Sequence, residues 1–298
     1  MEGYHSSVLL KEALGALNIR DAWYIDCTLG DGGHSIEIIS RGGKVVGIDV
    51  DPQALGRVQK RFKDLGISED RYKLVLGNFR DLKNLIWDKQ AEPGKLRFEG
   101  VLFDLGVSSL QLESPERGFS FMSDGPLDMR MDPTLEVSAS DLINAGGRKE
   151  LSELFSRLGE EKYSWTLADA VVRTRKVDRI ETTRQLAQII ENVTGRKRGK
   201  IHPATKVFQA LRIAVNDELG VLQEGLGQVI DLIEGNGRIV VISFHSLEDR
   251  IAKFTFRKWQ TEGFGQVLTK KPITPGFLEI KMNPRSRSAK LRVFEKGI

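Results

Sequence analysis

One run of residues, Asp26-Cys27-Thr28-Leu29-Gly30-Asp31-Gly32-Gly33-His34-Ser35, constrains this chain more than any other stretch. An apolar segment (Trp23, Tyr24, Ile25) leads into it, and Ile36, Ile38 and Ile39 leave it at helical spacing. The pattern predicts a strand, a glycine-rich turn and a helix. Gly30, Gly32 and Gly33 have no Cβ, so the backbone there can pass close to a ligand. The helix that follows aims its free N–H groups at the same place. A second strand, Val45-Val46-Gly47-Ile48, then ends in Asp49. A glycine turn after the first strand and an acid at the end of the second is how an open α/β sheet grips a nucleoside.

The remaining chain supports that sheet. Leu10, Leu14 and Leu17 predict a first helix, and Asp51-Pro52 opens another, with proline where its missing N–H does no harm. Tyr72 to Leu76 and Gly100 to Asp104 read as strands three and four, so strands alternate with helices as in a parallel sheet. After Asp104 the rhythm breaks. Three stretches with helical spacing follow, with no strand between them: Leu151 to Leu158, Trp165 to Val172 and Leu186 to Val193. They predict an inserted helical domain over 112–205, with 1–111 and 206–298 forming one discontinuous α/β domain. A helix to Ile233, a turn at 234–237, strand five at Arg238 to Ser243 and short strands near Phe277 to Lys281 and Lys290 to Phe294 complete the expectation.

Composition narrows the class. At 40% hydrophobic and 29% charged, 298 residues suffice for a sizeable core. No apolar run approaches the roughly 20 residues of a membrane helix, and Met1-Glu2-Gly3-Tyr4-His5 does not resemble a secretory signal, so the expected location is cytoplasmic. Cys27 is the only cysteine, which excludes an intramolecular disulfide, and the four histidines are scattered, so no metal is expected. The net charge of +4 is weak evidence for nucleic acid, but the cations are clustered. Arg196, Lys197, Arg198, Lys200 and Lys206 form one group; Lys281, Arg285, Arg287, Lys290, Arg292 and Lys296 form another, facing only Glu295. Either cluster suits an RNA phosphate backbone, or a solvated loop and a protected strand edge.

The glycine turn excludes two nucleotide grips. A dinucleotide fold wants G-x-G-x-x-G, but Ser35 takes the third glycine position; a P-loop wants a lysine, and the turn has none. The remaining pattern, an acid at each strand end around a short glycine turn, is that of class I S-adenosylmethionine (SAM) methyltransferases. SAM has no pyrophosphate to neutralise, and Asp49 would accept its ribose hydroxyls.

Further motifs carry a closer resemblance. They are His5-Ser6-Ser7-Val8-Leu9-Leu10, Asp104-Leu105-Gly106-Val107-Ser108-Ser109, Arg117-Gly118-Phe119-Ser120-Phe121 and Pro126-Leu127-Asp128-Met129-Arg130-Met131-Asp132. His202-Pro203-Ala204-Thr205, Phe208 to Ile213, Ser243 to Arg250 and Asn283 to Ser288 follow in order. Along nearly its whole length the chain resembles the RsmH (MraW) family, methyltransferases acting on the N4 amine of a cytidine in small-subunit ribosomal RNA. Ser7 stands where that family often has proline, a departure that touches no expected contact.

The resemblance implies a class I SAM-dependent methyltransferase fold, mostly parallel and Rossmann-like, with an all-helical insertion. It implies SAM contacts at Gly32, Gly33, His34, Asp49, Phe79, Asp104 and Gln111. The expected partners are small-subunit ribosomal RNA and a second copy of the chain, with no membrane. A cytosine amine is a poor nucleophile because its lone pair is conjugated into the ring, so acceptors for its N–H groups are needed to orient it. Asp104, Ser108, Ser109, Asp128 and loop carbonyls are the candidate acceptors. His245 is a candidate proton acceptor or base contact, or simply a hydrogen-bonded histidine in a strand-end turn.

Asp124, Asp128 and Asp132 read as loop acids that pair with Arg117 and Arg130. A target base must leave its stack, and Phe119, Phe121 and Trp165 are candidate surfaces for it, although core packing is the expected place for Trp165. Arg196, Lys197, Arg198, Lys200, Arg285 and Arg287 are the expected phosphate contacts. Two rival readings share the fold: a methyltransferase of a small molecule or protein, and a SAM-binding ribosome assembly factor without catalysis.

Overall fold

The computed structural model describes residues 7–88, 97–195 and 202–298. The chain forms two units, Met1–Gly106 with Leu219–Ile298, and Val107–Glu218. Its strands are β1 (Trp23–Asp26), β2 (Lys44–Asp49), β3 (Tyr72–Leu76), β4 (Phe98–Asp104), β5 (Ile233–Ser243), β6 (Gly265–Val267) and β7 (Lys290–Lys296). The helices of the first half are α1 (Leu10–Leu17), α2 (Gly33–Ser40), α3 (Pro52–Asp64), α4 (Leu82–Asp88), α5 (Ser109–Glu113) and α6 (Ala139–Ala145). Then come α7 (Arg148–Gly159), α8 (Ser164–Arg175), α9 (Thr183–Thr194), α10 (Thr205–Asn216), α11 (Glu218–Val229), α12 (Ser246–Thr261) and α13 (Phe277–Met282). Among the described residues, no helix is long and apolar enough to cross a membrane.

In the first unit all strands join one sheet in the order β3-β2-β1-β4-β5-β7-β6. β1 to β5 run parallel, and β7 lies antiparallel between β5 and β6. Alternate residues of the central strands face opposite layers, as the two-residue period of a strand requires. Val101 and Phe103 pack with Leu222, Leu226 and Val229 of α11 and Phe256 of α12. Leu102, Val240 and Ile242 pack with Leu14 and Leu17 of α1. Asp51 caps α3, accepting from the Gln53 N–H at 2.9 Å, with Pro52 at the first helical position as expected. The sheet order sets adjacent ends of β1, β2 and β4 side by side, and the ligand-binding edge of such sheets lies beyond those ends.

The second unit is helical. Leu151 and Phe155 of α7, Leu167 and Val171 of α8, Leu186 and Ile190 of α9, and Phe208 and Leu211 of α10 share one core. It is wider than the predicted 112–205, because α10 buries its apolar face in this core instead of against the sheet. Three other expectations change. The segment near Phe277 to Lys281 is the helix α13, not a strand; its Leu, Glu, Lys and Met are good helix formers, and β6 takes the pairing position beside β7. α11 ends at Val229, and β5 begins at Ile233, crossing the expected turn with Asn236 at φ +64°. Trp165 is 52% exposed, because α8 buries the face carrying Leu167, Ala168 and Val171.

Candidate active site

The glycine turn is built by backbone shape. Gly30 and Gly32 have φ of +50° and +73°, where a side chain is strained, and the Gly32 N–H donates to the Leu29 carbonyl at 2.7 Å. A Cβ on Gly32 would lie 3.1 Å from Val58 of α3, and one on Gly33 would lie 2.1 Å from Ser7 Oγ. Ser7 therefore does touch the expected cofactor turn, because the chain entering α1 crosses directly over Gly33. From α3, Arg57 donates to Asp31 Oδ1 (2.9 Å) and Arg61 to the Asp31 carbonyl (2.6 Å), which pins the turn from outside. Neither arginine was legible as a site residue, since helical spacing says only that they face away from the α3 core.

Beneath the turn lies a buried acid–imidazole array. Asp26, at the end of β1, is 1% exposed; its Oδ2 accepts from Ser35 Oγ at 2.7 Å and its Oδ1 from the Thr28 N–H at 3.2 Å. Burial pushes the Asp26 carboxyl above its ordinary range, against the opposing pull of His34, Ser35 and Thr28. His34, in the first turn of α2, is buried with Nε2 3.3 Å from Asp104 Oδ2. Burial alone would push its imidazole down, but the Asp104 and Asp26 carboxylates hold it above the ordinary histidine value. The Asp104 N–H donates to Thr28 Oγ1 at 2.6 Å, which ties the end of β4 to the turn after β1. His34 Nδ1 and Asp104 Oδ1 are buried with no hydrogen-bond partner among the described residues. Buried polar atoms are nearly always paired, so these two are free for a ligand.

The Ser35 hydroxyl has a measurable consequence. Ser35→Ala leaves one oxygen of a buried carboxyl without its donor, an expected loss of about 1–3 kcal/mol in stability. Urea unfolding reads it directly, and an unchanged midpoint would contradict the assigned bond.

Asp49 closes the end of β2. Its Oδ2 accepts from the Gly30 N–H (2.8 Å) and its Oδ1 from the Asp51 N–H (2.9 Å), so the carboxylate is fixed against the glycine turn. Burial pushes its pKa up to about 6, although both N–H bonds pull the other way. Each oxygen keeps lone-pair capacity for a second donor. Phe79, in the 3-10 turn after β3, meets Phe103 edge-on at 5.4 Å and packs over Gly225 of α11, leaving it partly buried in the same unit.

The other expected residues have local partners. His245 caps α12: its Nδ1 accepts from the Glu248 N–H at 3.3 Å, and Glu248 Oε2 accepts from the Phe244 and His245 N–H groups. His245 Nε2 is buried 3.2 Å from Glu248 Oε1 and has no hydrogen-bond partner among the described residues. In the helical unit, Ser108 and Gln111 form the capping box of α5. Gln111 is buried, and its Oε1 accepts from the Ser108 N–H at 3.0 Å. Ser109 opens the same helix. Both Asp128 oxygens receive Arg130 guanidinium N–H groups, at 2.8 and 2.7 Å. Burial would raise the Asp128 carboxyl, but Arg130 outweighs it and holds it below the ordinary range. Arg117 donates to the carbonyls of Arg130 and Met131, so it shapes the loop by its backbone; Asp124 faces Arg184, and Asp132 accepts from Thr134.

Of the aromatic candidates, Phe119 lies in the helical core, Phe121 stacks on His202 at 4.5 Å, and Trp165 is covered on one face by the Arg148 guanidinium at 4.5 Å. Arg196, Lys197, Arg198 and Lys200 lie outside the described residues. The second basic cluster divides. Arg292 is buried in an ion pair with Asp249, and Lys296 donates to the carbonyls of Ile230 and Ile233, so both serve the fold. Lys281, Arg285 and Arg287 are exposed.

A family model described as the MraW methylase family matches residues 2–297. The ribosomal RNA small subunit methyltransferase H of Persephonella marina is 45% identical over 297 residues, covering 98% of this chain and 99% of its own. That of Carboxydothermus hydrogenoformans is 44% identical over 314 residues, covering 99% of each. A solved rRNA methylase from Streptococcus thermophilus is a remote likeness, 13% identical with a TM-score of 0.43, covering 97% of this chain and 94% of its own. The sheet is mostly parallel, with β7 alone reversed, as expected for the α/β class. With a match that spans almost every residue, the chain belongs to the MraW methylase family.

Proposed function

We infer that this protein is a SAM-dependent methyltransferase that methylates the exocyclic N4 amine of a cytidine in small-subunit ribosomal RNA, in the cytoplasm. The observation that carries the reading is the unpaired, buried His34 Nδ1 and Asp104 Oδ1 beside a glycine turn that Asp49 braces. These groups fit a zwitterionic nucleoside: carboxylates for its hydroxyl and ammonium donors, and an open backbone turn for close approach. When bound, SAM supplies a methyl group on a sulfonium, an electrophile that needs no metal.

Gly32, Gly33, His34, Asp49, Phe79 and Asp104 would form the cofactor-holding set of the sheet unit in this reading, and the family resemblance is what adds Gln111. Asp49 would accept from the ribose hydroxyls, Phe79 would offer an apolar face for the adenine, and the glycines would let the backbone approach. His34 holds Asp104 in place at the end of β4 through the 3.3 Å contact, and the Thr28 hydroxyl fixes the Asp104 backbone. Asp104 and the loop through Ser108 and Ser109 would accept the amine's N–H bonds and orient its lone pair, and Asp104 or His245 would take the proton released as the methyl group passes from sulfur to nitrogen. The Arg130 pair makes Asp128 a weaker acceptor than Asp104. His245 caps α12 through Nδ1, and its buried, unpaired Nε2 keeps it a candidate proton acceptor or base contact after β5. The basic run 196–200 and the exposed Arg285 and Arg287 hold phosphates. The expected homodimer belongs to the same reading, and light scattering of the purified protein measures it.

Labelled transfer separates this reading from its rivals. Small subunits from cells lacking the activity are incubated with the protein and methyl-labelled SAM, then digested with ribonuclease or protease. Label released only by ribonuclease is expected. Label that follows protein or a small molecule would overturn the substrate, and SAM binding without any transfer would favour an assembly factor.

A further inference from the structure

Beside the phosphate-holding Arg285 and Arg287, the C-terminal region carries an apolar surface that the reading above leaves without a role. α13 turns three large apolar side chains to solvent: Phe277 is 79% exposed, Leu278 71% and Met282 81%. Single exposed apolar residues are ordinary, but three on one six-residue helix form a patch. The helix is anchored rather than loose. Glu279 Oε1 accepts from the Leu9 N–H at 2.7 Å, and the 3-10 turn Pro284–Ser288 folds onto its end through fully buried Ser286, whose hydroxyl donates to the Asn283 carbonyl at 2.8 Å.

Within residues 277–287 the charge is one-sided. Lys281 is exposed on α13, and Arg285 and Arg287 are exposed on the turn that follows. The only acid of the segment, Glu279, is turned to the Leu9 backbone. A flat aromatic ring, two flexible apolar side chains and three cations within eleven consecutive residues match the needs of an unpaired nucleotide strand: a face for a base, and positive charge for its phosphates. A duplex would use the cations but leave the ring without a stacking partner, because its bases are already stacked.

We propose that α13 and the turn after it bind single-stranded RNA, with a base stacked on the exposed Phe277 ring, Leu278 and Met282 adding apolar contact, and the adjoining phosphates held by Lys281, Arg285 and Arg287. The proposal rests on the RNA reading above for the source of the strand, but its test needs neither SAM nor methyl transfer.

Fluorescence anisotropy of the full chain is measured with a short labelled single-stranded oligoribonucleotide and with a duplex of equal length. Phe277→Ala is expected to weaken single-strand binding about tenfold, the usual loss for one stacked base. Phe277→Trp is expected to retain binding, and Arg285→Glu with Arg287→Glu to weaken it and flatten its salt dependence. Because Phe277 lies at the surface, the melting temperature of the alanine variant should match that of the parent. Equal affinity of parent and Phe277→Ala, or a tryptophan variant as weak as alanine, would overturn the proposal. So would equal use of the ring on duplex, on anionic vesicles or in self-association seen by sedimentation. Failure of the parent to bind SAM in calorimetry would count against the methyltransferase reading alone.

Discussion

Asp49→Asn is expected to weaken SAM binding by roughly 5- to 150-fold, corresponding to about 1–3 kcal/mol for hydrogen bonds to a charged acceptor. The Gly30 and Asp51 N–H groups already bind one carboxylate oxygen each, so asparagine also sets its amide against one of them. A pH series separates the ligand role from that local loss. The carboxyl of the free protein has its pKa raised from 3.8 to about 6 by burial. Between those values the folded protein holds a proton that the unfolded chain has lost, so stability falls as pH rises through that window. Ribose hydroxyls donate to the carboxylate and favour its ionised form, so binding has the opposite trend. Affinity of the parent should be level above pH 7 and fall below about pH 6, approaching tenfold per unit, while the asparagine variant should be flat there. A parent profile with no inflection near pH 6 would show that Asp49 does not meet the cofactor.

Gly118→Ala is expected to cost about 3 kcal/mol or more, as the sum of a strained backbone and a steric overlap that cannot relax. Gly118 has φ +68°, and its added Cβ would lie 2.1 Å from the Pro126 carbonyl oxygen and 2.7 Å from the Asp128 N–H nitrogen. Both neighbours are backbone of the same loop, which also holds Met129 at φ +64° with its side chain fully buried. The Met129 N–H donates to the Arg117 carbonyl at 3.0 Å, which ties the residue before Gly118 to the second positive-φ position. The comparison is Gly66→Ala, at the same φ of +68° with nothing within 4 Å of its Cβ, where only the backbone term of about 1 kcal/mol is expected. Urea unfolding of both variants measures the difference. Equal losses would mean that the loop yields and that the close approach at Gly118 does not matter.

What could be read from the chain depended on how local the cause was. The strand, turn and helix around Asp26 to Ser35 follow from neighbouring residues, and so does Asp49 at a strand end. The His34–Asp104 contact and the Thr28–Asp104 bond were not legible, because they need β1 and β4 to be neighbours, and strand order is set by tertiary packing. Thr28 and Ser35 lie inside the motif, yet only the fold reveals which acids they meet. Helical spacing misplaced Trp165 because Ala168 is shared by two possible faces, and the buried one runs through Leu167 and Val171. The segment at 277–282 has an apolar content that suits a strand, but the β7 edge was already taken by β6.

The atom that receives the methyl group decides the function of this protein. Small subunits from cells lacking the activity, treated with this protein and isotopically labelled SAM, can be digested to nucleosides and mapped by mass spectrometry. The label is expected on the N4 amine of one cytidine of the small-subunit RNA, and its yield should fall in the Asp104→Asn variant. Label on another atom of the base, on a different nucleoside or on no RNA at all would contradict it.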